Sequence, residues 1–198
     1  MKGEGEAARR WLGLLALLLA LLGGPITPGS AAEPVVAKEY QVKAAFLFNF
    51  TKFVEWPAEK FLAQDDPIVI GVLGRNPFGT ALEETVKDKK VNGRAIHIKL
   101  VRTVAEIKGV HVLFVAASED HRMGEVGSAL QAGRVLGVGD SAAFLARGGV
   151  FRFVPEGSKL RFDIDMVSAD LAHLKVSAQL QDLARDVKKK PAANVPRP

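Results

Sequence analysis

Ile68-Val69-Ile70-Gly71-Val72-Leu73, followed by Gly74-Arg75-Asn76-Pro77, is the stretch that decides the fold of this 198-residue chain. Its first six residues form a continuous apolar run rich in β-branched side chains. Such a run is typical of a strand that is buried on both faces in the middle of a sheet. Asn76 suits a helix N-cap and Pro77 suits the first helical position. We therefore predict a central strand and then a helix that extends to about Val86.

Strand and helix patterns alternate downstream of this stretch. Residues 95–101, 111–116 and 135–138 read as strands, and 103–107, 122–132 and 141–146 read as helical segments. This alternation builds right-handed β-α units and a parallel sheet. We predict an α/β fold, a three-layer sandwich with a mainly parallel sheet and a flavodoxin-like general shape.

The pattern changes near both ends of the domain. Upstream, residues 36–54 predict a long, largely buried helix that ends at Trp56-Pro57. Downstream, residues 150–154 and 159–165 predict an antiparallel hairpin at one edge of the sheet, joined by Pro155-Glu156-Gly157-Ser158. A helical tail is expected over 168–187, with a break near Ser177. Residues 188–198 are basic and Pro-rich, which predicts a disordered tail.

The N-terminus reads as a secretory signal. A weakly basic head precedes an apolar run from Trp11 to Leu22, and helix breakers and Ser30-Ala31-Ala32 follow. An uncleaved anchor is the alternative, but the run of about 12 residues is shorter than the roughly 20 that a membrane span needs. We expect a signal peptide over residues 1–32 with cleavage after Ala32, a single domain over 33–187 and a periplasmic location.

Composition excludes several classes of protein. The formal charge of +5 falls to about +4 once the signal segment is removed, and the basic residues are scattered. No basic stripe with interleaved aromatics is present, so we expect no nucleic-acid partner. The chain has no cysteine, which excludes disulfides, thiolate chemistry and a lipid-anchored N-terminal cysteine.

The ends of the predicted strands offer one candidate site. Asn76, Ser118 and Asp140 follow three strands, where ligands of such sheets bind and where backbone N–H groups can meet an anion. The same residues also suit plain loop and helix-cap roles. We keep them as candidate ligand or anion contacts, with capping as the simpler interpretation.

Catalytic and metal-binding patterns find no support. The four histidines show no spacing typical of a zinc site, and we expect no cofactor and no metal. Asp163 and Asp165 share a strand face and are expected on its solvent side, with Arg152 and Arg161 as ion-pair partners. No serine lies in a nucleophile elbow, so we predict that the protein is not an enzyme.

Aromatic residues before Trp56 and in the hairpin offer a second candidate site. Core packing is one interpretation of this cluster, and a protein-binding surface is the other, since Trp and Phe are common interface anchors. The residues that we assign to such a contact, all from these two segments, are Asn49, Lys52, Phe53, Glu55, Trp56, Phe151, Arg152, Arg161 and Phe162.

Two segments go beyond general patterning. One is Tyr40-Gln41-Val42-Lys43-Ala44-Ala45-Phe46-Leu47-Phe48-Asn49-Phe50-Thr51-Lys52-Phe53-Val54-Glu55-Trp56-Pro57. The other comprises Gly148-Gly149-Val150-Phe151-Arg152-Phe153, Lys159-Leu160-Arg161-Phe162-Asp163-Ile164-Asp165 and Leu174-Lys175-Val176-Ser177. Together they resemble the YfiR family of exported bacterial proteins. His173 departs from the family pattern, which usually has Gly at this place.

The resemblance implies a periplasmic regulator that binds and represses the periplasmic sensor part of an inner-membrane diguanylate cyclase and so lowers cyclic di-GMP and biofilm formation. It also implies that an outer-membrane lipoprotein can sequester the repressor. Redox control through cysteines, known for some relatives, is excluded here. A homodimer is left open. The alternative is a periplasmic small-molecule sensor or binding protein.

Overall fold

An eight-stranded sheet lies at the centre of the computed structural model, which describes residues 35–189. The helices are α1 (Val35–Phe53), α2 (Ala81–Val86), α3 (Met123–Ala132), α4 (Met166–Leu171) and α5 (Ala178–Leu183). The strands are β1 (Val54–Glu55), β2 (Ile68–Leu73), β3 (Lys90–Val91), β4 (Arg94–Val101), β5 (Val112–Val115), β6 (Leu136–Gly139), β7 (Phe151–Glu156), β8 (Lys159–Asp165), β9 (Lys175–Val176) and β10 (Asp186–Lys188). Short 3₁₀ turns lie at Ala58–Lys60, Val104–Gly109, Ala117–Arg122 and Leu145–Arg147.

The sheet is mainly parallel. Its strand order is β10-β8-β7-β6-β5-β2-β4-β3, and the antiparallel pairs are β7 with β8 and β3 with β4. In the middle, Ile70 of β2 pairs with Ile98 on one side and Val112 on the other. The predicted central position of β2 is therefore confirmed.

Two apolar cores cover the two faces of the sheet. On one face, Ile70 and Val72 pack with side chains of α1, α2, α4 and α5. On the other, Leu73 and Leu113 pack with Val126 and other residues of α3. Helices therefore lie on both faces, and the predicted three-layer α/β fold is confirmed.

The start of α2 differs from its prediction. The Asn76 side chain accepts a hydrogen bond from the Phe78 backbone N–H at 2.9 Å, which closes a local turn and not a helix cap. Gly79 then adopts a φ of 56°, outside the helical region. The helix consequently begins at Ala81, after this turn.

The predicted helical tail is only partly helical, and its expected break near Ser177 is present, since Ser177 is the N-cap of α5. It is divided into α4 and α5 by the short strand β9, whose Val176 pairs with Val54 of β1. After α5 the chain becomes extended, and β10 pairs in parallel with β8. The predicted hairpin is present, with Gly157 and Ser158 as its turn, and β10 occupies the sheet edge beyond it.

Strand β10 also explains why the expected solvent exposure of two carboxylates is wrong. Asp163 and Asp165 are both buried. Asp163 accepts hydrogen bonds from Arg152 at 2.6 Å and from Arg185, which precedes β10, at 2.7 Å. Asp165 accepts from the backbone N–H of Val167 in α4 and from Lys188 of β10.

Both ends of the chain extend beyond the described residues. The predicted signal peptide lies outside the described residues, as does the part of the predicted tail from residue 190 onward. Lys188, where that tail was expected to begin, is the last residue of β10. Within residues 35–189, no helix has both the length and the apolar character that a membrane span requires.

Candidate partner-binding site

The aromatic cluster of α1 divides into a buried part and a surface part. The Phe50 ring lies 4.5 Å from that of Phe151 and 5.2 Å from that of Phe162, between centroids, and all three are buried. The core interpretation therefore holds for these rings. Phe53, one turn further along α1, is only partly buried.

A groove opens where this cluster reaches the surface. We call it the α1–hairpin groove. Its deeper end is a cavity of about 340 Å³, formed by side chains of α1, β8 and α5: Phe46, Asn49, Phe50, Phe53, Leu160, Arg161, Phe162, Leu180 and Leu183. A shallower part of about 560 Å³ continues past Leu160 and Arg161 between the first turns of α1 and the hairpin tip.

The walls of the groove are apolar and accessible. Leu183, on the wall of the deep part, exposes 58% of its surface. Val42, on the wall of the shallow part, is also exposed. Apolar surface that remains exposed beside a cavity marks a site where another molecule can bury it.

One polar group in the groove lacks a partner. The Arg161 Nε atom is buried and forms no hydrogen bond among the described residues. Its nearest carboxylate oxygen, on Glu156, is 4.0 Å away, which is too long for a hydrogen bond. Because an unsatisfied buried donor costs about 1–3 kcal/mol, the groove favours an occupant that brings an acceptor.

The predicted contact residues do not all reach this groove. Asn49, Phe53 and Arg161 line it, and Phe162 forms part of its floor. Phe151 is fully buried, which corrects its assignment to a contact surface. Arg152 is held by Asp163 and donates to the Ala142 carbonyl at 3.0 Å.

The other predicted contacts lie elsewhere on the molecule. The Lys52 ammonium lies 4.3 Å from the centroid of the Phe48 ring and donates to Asn49 Oδ1 at 3.3 Å. Glu55 is exposed on β1. Trp56 is partly buried, and its Nε1 donates to the His111 carbonyl at 3.1 Å.

The loops after the parallel strands, the other candidate site, are occupied by internal contacts. Ser118 Oγ accepts from the Arg75 backbone N–H at 3.2 Å and donates to Glu119. Asp140 accepts from the buried Lys43 ammonium at 2.8 Å. Burial opposes the charge of Lys43, but its bonds to Asp140 and Glu39 outweigh that effect and raise its pKa. These side chains therefore serve the fold.

Sequence reasoning missed the leucines of the groove. Leu160, Leu180 and Leu183 come from β8 and α5, and only the folded chain brings them beside α1. The sequence predicts a helix around 180–183, but it does not show which element packs against the apolar face of that helix. Within residues 35–189, no cluster of three or more His, Cys, Asp or Glu side chains could hold a metal ion.

The sequence matches the YfiR/HmsC-like family over residues 40–185. The chain belongs to this family. The resemblance of the α1 segment and the hairpin is therefore confirmed. The YfiR/HmsC-like family is periplasmic and is not known as catalytic.

Comparisons with individual proteins add less. No curated protein matches the chain. A conserved domain protein from Vibrio cholerae is 10% identical, with a TM-score of 0.44. The match covers 61% of this chain and 54% of the Vibrio cholerae chain. An ABC domain from Streptococcus pneumonia, in complex with L-Trp, is 13% identical, with a TM-score of 0.49. The match covers 73% of this chain and 60% of the Streptococcus pneumonia chain. The chain thus spans little more than half of each solved chain.

Proposed function

We propose that this YfiR/HmsC-like protein is a periplasmic repressor that binds the periplasmic sensor part of an inner-membrane diguanylate cyclase in its α1–hairpin groove. The observation that carries the proposal is the exposed apolar wall at Leu183 beside the unsatisfied Arg161 donor. Both features favour a protein segment, because burying apolar side chains and pairing a buried N–H each stabilise a complex.

The groove defines the chemistry of its partner. An apolar side chain of the sensor would fill the cavity between Phe53, Leu160 and Leu183, and an acidic side chain next to it would accept from Arg161. Lys38 and Lys159 flank the shallow part and favour further acidic residues on the partner. The expected occupant is an amphipathic segment with one aliphatic or aromatic anchor and neighbouring carboxylates.

Repression then follows from differential binding. The sensor exchanges between an active and an inactive conformation, and the groove of the repressor binds the inactive one more tightly. A ligand shifts such an equilibrium by no more than its difference in affinity for the two states. About a hundredfold preference, near 2.7 kcal/mol, moves an even population to about 99% inactive.

The first experiment replaces Leu183 by glutamate. Leu183→Glu puts a carboxylate into the apolar wall at a position that is already exposed, so the fold is retained while the anchor is repelled. We expect intracellular cyclic di-GMP in the source bacterium to rise to the level of a gene deletion. Leu171→Glu is the matched control, because Leu171 is 56% exposed and lines neither part of the groove.

Two results would contradict the proposal. Wild-type repression by Leu183→Glu, with unchanged circular dichroism, would place the contact outside the groove. An unchanged cyclic di-GMP level on deletion of the gene would show that the protein does not repress a diguanylate cyclase. A copy that lacks residues 1–32 should fail to restore repression, because the sensor part faces the periplasm.

Release of the cyclase requires a competitor. An outer-membrane lipoprotein that occupied the same groove would sequester the repressor and free the sensor. Leu183→Glu would then weaken capture by the lipoprotein as well, and co-purification of the two proteins from membranes measures this. The alternative is a small-molecule sensor that uses Asn76, Ser118 and Asp140. It is less favoured, because one oxygen of each of these side chains already accepts a hydrogen bond within the protein.

A further inference from the structure

A second cavity lies at the amino-terminal ends of three central parallel strands, β2, β5 and β6. It has a volume of about 720 Å³ and is lined by residues just before β2, β5 and β6, together with the turn at Ala58–Lys60: Glu59, Lys60, Leu62, Asp66, Pro67, Val69, Lys108, Gly109, His111, Ala132, Gly133 and Arg134. It shares no lining residue with the α1–hairpin groove.

His111 is the most buried polar side chain of this cavity, with 6% of its surface exposed. Its ring stacks on Phe61 at 4.6 Å and meets the edge of Trp56 at 5.8 Å, between centroids. Nδ1 accepts a hydrogen bond from the Val69 backbone N–H at 3.1 Å. The proton of the neutral ring is therefore on Nε2.

This Nε2 proton has no acceptor among the described residues. Burial and the nearby Lys60 and Arg94 charges lower the pKa of His111 to about 4, so the ring is neutral at pH 7. A buried N–H without an acceptor is costly in a protein interior. A group bound in the cavity that this ring lines would supply the acceptor.

Lys60 brings a cation to the same cavity. Its Nζ donates to the carbonyls of Lys108 at 2.9 Å and Gly133 at 2.6 Å, which leaves one N–H free. Within residues 35–189 it forms no ion pair, and burial together with the Arg134 charge lowers its pKa to about 8. Asp66 also lines the cavity but forms no ion pair with Lys60; its Oδ2 accepts from the backbone N–H groups of Leu62 and Ala63.

The cavity thus has a neutral donor and an unpaired ammonium, and apolar surface from Leu62, Pro67 and Val69. We propose that this cavity binds a small organic carboxylate, whose oxygens accept from His111 Nε2 and Lys60 Nζ and whose carbon chain covers the apolar wall. Three cations and two carboxylates line the cavity: Lys60, Lys108, Arg134, Glu59 and Asp66. Their net charge of +1 favours a monocarboxylate over a phosphate dianion. The site is independent of the proposed partner contact.

Sodium butyrate is the probe, and butyramide is its uncharged analogue. The histidine side-chain ¹⁵N and ¹H signals of the exported protein are followed during titration with each. We expect butyrate to shift the His111 Nε2–H signal saturably in the millimolar range, while butyramide has little effect. Lys60→Met should weaken butyrate binding by about tenfold or more.

Matched variants separate this site from other effects. Lys108→Met removes an exposed cation from the rim of the same cavity and should change the affinity by less than about threefold. Ala132→Glu places a carboxylate in the cavity from an exposed position and should abolish butyrate binding, which serves as the test if Lys60→Met does not fold. Leu183→Glu should bind butyrate like the wild type, so the two proposals fail separately.

Three outcomes would overturn the inference. These are the absence of a saturable shift at His111, an equal response to butyramide, and undiminished binding by Ala132→Glu. Inorganic phosphate that saturates the His111 signal at lower concentration than butyrate would replace the carboxylate by a phosphate ligand and so refute the stated chemistry.

Discussion

His173 lies at the C-terminal end of α4, where the chain turns with a φ of 56°. The His173 backbone N–H donates to the Asp170 carbonyl, and the Leu174 backbone N–H donates to the Ala169 carbonyl. This pair of hydrogen bonds is the Schellman motif. The position after the helix end in this motif normally carries Gly. The departure of His173 from the family pattern therefore has a measurable consequence, which is left-handed strain.

We expect His173→Gly to raise the free energy of unfolding by about 0.5 kcal/mol. The left-handed conformation costs a non-glycine residue roughly 1–2 kcal/mol, and the greater freedom of Gly in the unfolded chain offsets part of the gain. Urea unfolding measures the change. His121→Gly is the control, since His121 has no positive φ, and it should destabilise the protein. A loss of stability in His173→Gly would contradict the assignment of strain.

His111 makes the stability depend on pH. Its folded pKa of about 4 lies below the unfolded value of 6.5, so between these values the unfolded state binds the extra proton. The contribution of His111 to the free energy of unfolding should then be constant above pH 6.5 and fall by up to about 3 kcal/mol towards pH 4. Urea midpoints across this range, with an NMR titration of the ring, test this. A His111 ring that titrates near pH 6.5 would contradict it.

At the scale of elements, β10 is held by ion pairs in addition to its backbone pairing with β8. Asp163 of β8 accepts from Arg152 of β7 and from Arg185, and Lys188 of β10 donates to Asp165 at 2.8 Å. Burial alone would raise the Asp163 pKa, but the two arginines hold it below its usual value. The carboxylate therefore stays charged and joins three strands.

We expect Asp163→Ala to lower the free energy of unfolding by about 3–4 kcal/mol, because removal of one member of a buried ion pair leaves the other unpaired. Arg152 would lose its main partner and β10 would detach first. Asp170→Ala, at an exposed carboxylate of α4, should stay within about 0.5 kcal/mol. Urea unfolding compares the two, and hydrogen exchange at Val187 reports on β10. Equal losses would show that the pairing contributes nothing specific.

At the scale of the whole molecule, the two cores are tied together by shared strands. In β2, Ile70 faces one core and Leu73 the other, and in β5 Phe114 and Leu113 divide in the same way. Neither core can be lost while the central strands stay in place. Residues 33–198 should therefore unfold in a single transition.

Two probes test this cooperativity. Trp56 is the only tryptophan after residue 32 and packs against the α1 side of the sheet, whereas far-UV circular dichroism reports on every element. We expect the two unfolding curves to coincide in the wild type. They should also coincide in Leu130→Ala, which weakens the opposite core by about 2–5 kcal/mol. If the Trp56 transition and the circular dichroism transition of Leu130→Ala do not coincide, the two layers unfold separately.

The amino-acid sequence alone determined the elements whose evidence is local. In the apolar run of β2, the alternation in β4 and the hairpin strands around Gly157, the spacing of apolar residues itself indicates which side is buried. The α/β class followed from these patterns. The segment before Trp56 likewise gave the family resemblance without any knowledge of contacts.

Tertiary structure alone decided what depends on a distant partner. Strand β10 is three residues long and forms because β8 offers an unpaired edge, which no pattern around Val187 shows. Phe53 and Phe151 look alike in sequence, and only packing separates a groove wall from a core ring. The groove unites Asn49, Arg161 and Leu183, and the second cavity unites Lys60 with His111. Contacts between residues so far apart depend on how the elements pack, whereas local spacing records only which side of each element is buried.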